Sequence, residues 1–240
     1  MLANRRQGCR RSLGAPCIIP RVPNLNPIEV RVLGALIEKQ ITTPEYYPLT
    51  VNALIAACNQ KNNRNPVTSF NEGEIEDALY TLREKNLAYV FHGSTSRVPK
   101  YKHVVPEVMH LSPPEVAAMC VLMLSGPQTV GEIRTRGYRL YEFSGLEVVE
   151  ETLRALAARE DEPLVMKLPR QAGQKDARFV HLLSGTPDIE AMSESVPAER
   201  ATRRAVDGDR VAALEQQVEA LTQQVAGLSE QFEAFKKQFE

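Results

Sequence analysis

The chain has 240 residues, a formal net charge of −1, 43% hydrophobic residues and 25% charged ones, the proportions of a soluble globular protein long enough for two ordinary domains. No apolar run approaches the roughly 18–20 residues of a membrane helix; the most apolar stretch, residues 116–124, suits a buried core helix. Residues 25–108 hold nine basic and nine acidic groups and residues 109–185 nine and ten, which excludes the strongly basic body of an avid nucleic-acid binder.

Residues 1–24 carry five arginines and no acid and read as a disordered basic leader. A nucleic-acid-binding arm, a targeting peptide and a start codon placed too early are the other readings; Cys17-Ile18-Ile19 is too short for a secretory h-region. Asn26 and Pro27 then supply an N-cap and a first helical residue. Ile28, Val32, Leu33, Leu36 and Ile37 recur at helical spacing, predicting a helix over 27–40 that Thr42-Thr43-Pro44 breaks. A second helix follows Thr50 with Leu54, Ile55 and Cys58 inward. Past the polar loop 58–68, Asn71 caps a third helix with the stripe Ile75, Ala78, Leu79 and Leu82, ending near Asn86. The run 87–91, a turn at His92-Gly93-Ser94 and a strand over 97–105 predict a hairpin.

The order then repeats. Ser112-Pro113-Pro114 opens a helix through Leu124, a short helix spans about 129–136, and Leu146, Val149, Leu153 and Leu156 mark a third. Strands at 164–168 and 178–183 flank a loop. Three helices followed by a hairpin is the winged-helix order, and two successive occurrences carry far more weight than one. Residues 186–206 read as a linker. From Val211 the apolar residues Val211, Leu214, Val218, Leu221, Val225, Leu228, Phe232, Phe235 and Phe239 alternate steps of three and four, a coiled-coil seam with Val at a and Leu at d, which favours a parallel pair.

Residues 25–67, with the block EKQ-TTPE-YPL-N-ACNQK-NR-PV, resemble the YceH family of uncharacterised bacterial proteins. Residues 129–161 and the acidic tail beginning near Ala205 resemble it as well. The resemblance implies the tandem winged-helix fold and no established activity. The expected fold class is therefore α+β, mainly α: a leader (1–24), winged-helix domains at 25–108 and 109–185, a linker (186–206) and a coiled coil (207–240).

No Gly-rich phosphate loop, paired metal-ligand spacing or nucleophile elbow is present, so neither an enzyme nor a cofactor is expected. Cys9, Cys17, Cys58 and Cys120 lie far apart; Cys58 and Cys120 fall on apolar helix faces as core thiols, and a reducing cytoplasm is the expected setting. His92, His103, His110 and His181 read as surface or strand residues. The polar block after Cys58 offers Asn59, Gln60, Lys61, Asn63 and Arg64, groups that can hydrogen-bond base edges or neutralise phosphate. Asn-rich loops also cap helices and hold turns through their own backbone, and both readings stand. The hairpins add Arg97, Lys100 and Lys102 in the first module and Lys167, Arg170, Lys175 and Arg178 in the second. Against groove reading, the third helices open with Glu72, Glu74, Glu76 and Asp77, and with Glu147, Glu150 and Glu151, which would repel phosphate. The leading expectation is a non-catalytic protein that contacts nucleic-acid backbone through its wings and the 58–68 loop. The alternative is a protein-interaction module that binds no nucleic acid.

Homodimerisation through Val211, Leu214, Val218, Leu221, Val225 and Leu228 is the remaining expectation. Leu214→Asp with Leu221→Asp places charge in a dry seam and should convert a dimer into a folded monomer in sedimentation. A monomeric wild type, or a double variant that still dimerises, overturns the seam.

Overall fold

Asn26 starts the fold. The computed structural model describes residues 24–91, 98–160, 162–170, 174, 176–187 and 227. The Asn26 side chain accepts from the Ile28 and Glu29 amides at 2.9 Å each, and the Glu29 carboxylate accepts from the Asn26 amide at 2.7 Å. This reciprocal cap satisfies donors that a helix start leaves open, and α1 runs Pro27–Thr42. Thr50 caps α2 (Val51–Cys58), and Asn71 with Glu74 forms the same reciprocal cap on α3 (Glu72–Glu84). Strands β1 (Ala88–Phe91) and β2 (Lys100–His103) pair antiparallel, Ala88 opposite His103 and Phe91 opposite Lys100. Leu49, just ahead of α2, adds a third line of pairing by exchanging backbone bonds with Tyr101 at 3.1 and 2.7 Å.

The expected strand over 97–105 is shorter at its end, because Val105 begins a short helix, α4 (Val105–Met109). Pro106 follows with no N–H to give a ladder, and the Val105 amide instead donates to His103 Nδ1 at 3.3 Å. The 108/109 division read from the sequence falls inside this helix.

The second half repeats the order with α5 (Pro113–Ser125), α6 (Val130–Gly137), α7 (Leu146–Ala157), β3 (Val165–Lys167) and β4 (Phe179–His181). Its details match the first half atom for atom in several places. Gln128, ahead of α6, exchanges backbone bonds with Phe179 at 3.0 and 2.7 Å, as Leu49 does with Tyr101. Thr129 caps α6 as Thr50 caps α2. The Val104 amide bonds Leu87 O, and the Leu182 amide bonds Leu164 O. The described residues are thus mainly helical, with two small antiparallel sheets among them.

The halves share one continuous apolar core. Every residue from Glu29 to Glu38 on α1 is buried, and every residue from Val116 to Ser125 on α5. A helix apolar on all sides must be covered on all sides, and these two cover each other. They meet at Gly34, where a Cβ would stand 2.9 Å from Leu124 Cδ2 and 3.2 Å from Met123 Cβ. The Cys120 thiol lies 3.5 Å from Gly34 O across the same contact. Around this pair, α2 and α3 contribute Leu54, Ile75, Leu79 and Leu82, and α6 and α7 contribute Ile133, Val149, Leu153 and Leu156.

The chain partitions after Thr186 into a second unit, Pro187–Glu240. There Gly227 is described and is helical. The seam at Val211, Leu214, Val218, Leu221, Val225 and Leu228 lies outside the described residues, as do all but the last residue of the expected leader at 1–24, and Arg97 and Lys175. Among the described residues no helix is long and apolar enough to cross a membrane.

Gly34→Val should force Leu124 and Met123 apart and destabilise the fold by about 2 kcal/mol, the usual scale of overpacking. Urea unfolding read by far-UV circular dichroism and by tyrosine fluorescence should stay one coincident transition, since both halves lean on the same contact. Two separated transitions would show that the halves fold independently.

Candidate functional site: the 58–68 loop and the hairpins

The loop after α2 is held from beneath by two arginines. Arg64, 6% exposed, turns inward. Its Nε and Nη2 donate to Ala57 O at 3.1 and 2.9 Å, and its two terminal nitrogens bind the two carboxylate oxygens of Glu38 on α1. Arg31, also on α1, donates to Cys58 O at 3.1 Å, to Thr68 Oγ1 at 3.3 Å and to Pro66 O at 2.7 Å. Each guanidinium therefore closes backbone carbonyls that the loop leaves without helix or sheet partners.

Asn59 clamps the loop's far end, donating to Phe70 O and accepting from the Phe70 amide, both at 2.8 Å. Asn63 takes a left-handed backbone, φ 57°, which asparagine tolerates better than most residues. The Asn65 amide bonds Leu124 O at 2.9 Å, tying the loop to the end of α5. The peptide between Asn65 and Pro66 is cis. Asn59 and Arg64, which the sequence left open between an outside partner and the loop's own turns, are thus engaged in holding the loop. Their polarity answers the loop's own unpaired backbone. Lys61, Asn62 and Asn63 form its exposed tip, with Gln60 half-buried beside them.

The hairpin cations divide likewise. Arg178 binds both oxygens of Glu132 at 2.8 and 3.0 Å and donates to Pro127 O at 2.7 Å, fastening β4 to the start of α6. Burial pushes the Glu132 carboxyl up, but the Thr129 amide and the Arg178 guanidinium outweigh it and hold the group below its ordinary value. Lys102 lies over the Tyr89 ring and Lys167 over the Phe179 ring, each 5.8 Å from the centroid. Lys100 is half-buried and Arg170 exposed. Lys61, Lys100, Lys102, Lys167 and Arg170 make no ion pair among the described residues, while Arg64 is paired internally and the half-buried Arg178 is paired with Glu132.

Among the described residues Cys58, Cys120, His103 and His181 are withdrawn from chemistry, while His110 is exposed. Burial pushes the Cys58 thiol up to about 12, although Arg64 and Arg31 pull the other way. Burial raises Cys120 as well. His103 and His181 occupy matching places at the ends of β2 and β4, and burial pushes both down to about 4, with the charge of Lys102 adding to the shift at His103. Both rings are neutral at pH 7. Among the described residues no cluster of histidine, cysteine and acidic side chains has a metal-holding arrangement.

Residues 25–174 match a family described as a protein of unknown function, DUF480. The chain belongs to the DUF480 family. Its relatives are bacterial proteins of the UPF0502 group. One from Geotalea daltonii is 52% identical over 194 residues, covering 80% of this chain and 88% of the relative. One from Geobacter sulfurreducens is 50% identical over 192 residues, 80% of this chain and 87% of its own. One from Opitutus terrae is 50% identical over 194 residues, 80% of this chain and 84% of its own. The DUF480 match takes in both repeats up to the second hairpin and leaves the leader outside.

Arg31 and Glu38 were missing from the sequence-based candidates. The signal was there: a helix apolar all round that still carries charges must pair or hydrogen-bond them internally. Arg64→Met should leave Glu38 buried without its cation and cost about 3–5 kcal/mol in urea unfolding. Lys61→Met, at the exposed tip, should change stability by less than about 0.5 kcal/mol. Equal effects would place Arg64 on the surface.

Proposed function

We propose that this chain is a non-catalytic tandem winged-helix protein that binds a protein partner through its third helices. Two features of each half support the winged-helix reading: the order of three helices and a hairpin, and the strand residue ahead of the second helix that pairs with the hairpin. The observation that carries the partner is the outer face of α3. Tyr80, 61% exposed, stands one helical turn from Glu76, Asp77, Arg83 and Glu84, which are exposed with it. An exposed aromatic on a face where three acids accompany one arginine suits a complementary, mainly basic surface. The matching helix α7 exposes Glu147, Glu150 and Glu151. Acids on both third helices disfavour a nucleic-acid groove.

A nucleic-acid reading survives on one observation: Lys100, Lys102, Lys167 and Arg170 remain outside internal ion pairs, at hairpin positions suited to phosphate backbone. Binding of that kind is salt-sensitive and sequence-tolerant. The burial of Cys58, Cys120 and His103 supports the non-catalytic reading. The two free buried thiols support a reducing, cytoplasmic setting. The heptad pattern of residues 207–240 supports a homodimer, which would present each acidic face twice.

Affinity capture from bacterial extract with the full chain, beside a Tyr80→Ala, Glu76→Lys, Asp77→Lys variant, tests the proposal. A specific protein should be retained by the wild type and lost with the triple variant, while Lys100→Glu with Lys102→Glu leaves capture intact. If instead the chain retards duplex DNA or RNA at low salt, and only the lysine variant abolishes it, the nucleic-acid reading replaces this one.

A further inference from the structure

The outward face of the first hairpin carries side chains that its fold does not require. Successive strand residues point to opposite sides. Ala88, Val90, Tyr101 and His103 turn toward the core, with Ala88 and His103 buried and the other two half-buried. Tyr89, Phe91, Lys100 and Lys102 turn outward, on the side of such a ribbon that is ordinarily polar. Yet Tyr89 is 38% and Phe91 43% exposed. The register sets Tyr89 opposite Lys102 and Phe91 opposite Lys100, so the face consists of two units, each one aromatic and one cation. Neither lysine has an ion pair among the described residues.

The second hairpin shows that the ribbon can be built without this face. Phe179 pairs with Gln128 as Tyr101 pairs with Leu49, which matches Met166 to Tyr89, Val180 to Lys102 and Arg178 to Lys100. Val180 is buried, Met166 is half-buried and Arg178 is held by Glu132. Two large aromatics at neighbouring outward positions therefore need a reason outside the fold.

We propose that this face binds single-stranded nucleic acid, with Tyr89 and Phe91 each stacking on one base and Lys102 and Lys100 each meeting a phosphate. The repeated unit points to the class of partner: base and phosphate recur together along a nucleic acid, whereas an acidic protein surface offers the charge without the ring. The spacing points to one strand rather than two. The two aromatics stand about 6.8 Å apart along β1, two strand steps, while bases in a duplex follow one another at about 3.4 Å. Bases laid one on each ring are parted from each other, which pairing in a duplex resists and a single strand allows. Face and occupant both lie beyond the α3 reading, and the site stands whether or not α3 binds a protein.

The full-length protein is titrated, by fluorescence anisotropy at low salt, with a short labelled oligothymidylate, an abasic strand of the same length, the thymidylate paired with its complement, and polyglutamate. Thymidylate should bind at least about tenfold more tightly than the abasic strand, the scale of base–aromatic stacking. Tyr89→Ala with Phe91→Ala should remove that margin and leave the weaker abasic binding unchanged, while Tyr89→Phe keeps it. Lys100→Gln with Lys102→Gln should weaken both strands and lower the slope of log K against log salt by about 1.4, two phosphates at about 0.7 each. None of the four side chains belongs to the buried core, so circular dichroism of every variant should match the wild type. The α3 triple variant should retain the margin, which separates this site from the protein-binding face. Equal affinity for thymidylate and the abasic strand, a margin that survives loss of both rings, a duplex bound as tightly as the single strand, or polyglutamate bound as tightly as thymidylate overturns the site.

Discussion

The two helical halves lean on the contact between α1 and α5. Gly34 lets the two helices approach until backbone meets the Leu124 and Met123 side chains. That closeness allows each helix to be the other's interior. Fully burying a leucine or valine side chain is worth about 1.5–3 kcal/mol, and Val32, Leu33, Leu36, Met119 and Leu122 all reach near-complete burial here. The flanking helices complete the cover, and the hairpins close the ends. The tether from Asn65 to Leu124 exists only because two first helices lie side by side.

Much of the local structure was legible because its causes are local. A capping residue and its acid three positions on mark a helix start wherever they fall, and Asn26, Asn71 and Ser112 marked theirs. The stripe at Ile75 to Leu82 faced inward as its spacing required, and so did Val149, Leu153 and Leu156, whereas Leu146 at the first position of α7 stays exposed. Strand ends were less legible: Val105 continues an apolar run, yet Pro106 turns it into α4. The Leu49 and Gln128 pairings join residues about fifty positions apart, with nothing in their own surroundings to announce them.

The polar loop shows where residue type underdetermines role. Asparagine, lysine and arginine between two helices suit an outside partner and an inside brace equally well. Burial decides between them, and burial is a property of the whole fold. Arg64 braces because Glu38 stands beneath it; Lys61, three residues earlier, has nothing beneath it. The same division separates Arg178, held by Glu132, from Arg170, exposed on the same hairpin. The charge balance alone did show that neither half has a strongly basic body, and internal pairing of Arg64 and Arg178 lowers the outward positive charge further.

The shared core also has a consequence for the two repeats as objects. Cut between α4 and α5, either half would bare one flank of its first helix, at Gly34 or at Cys120, Met123 and Leu124. Such a fragment could not remain a solitary soluble body; it would seek a second copy of itself to cover the flank. The α1–α5 contact is then what a two-fold subunit interface becomes when both subunits are written into one polypeptide. A joined pair need not stay symmetrical. Once covalently linked, one copy is free to keep Arg64 and Glu38 and the other to keep Arg178 and Glu132.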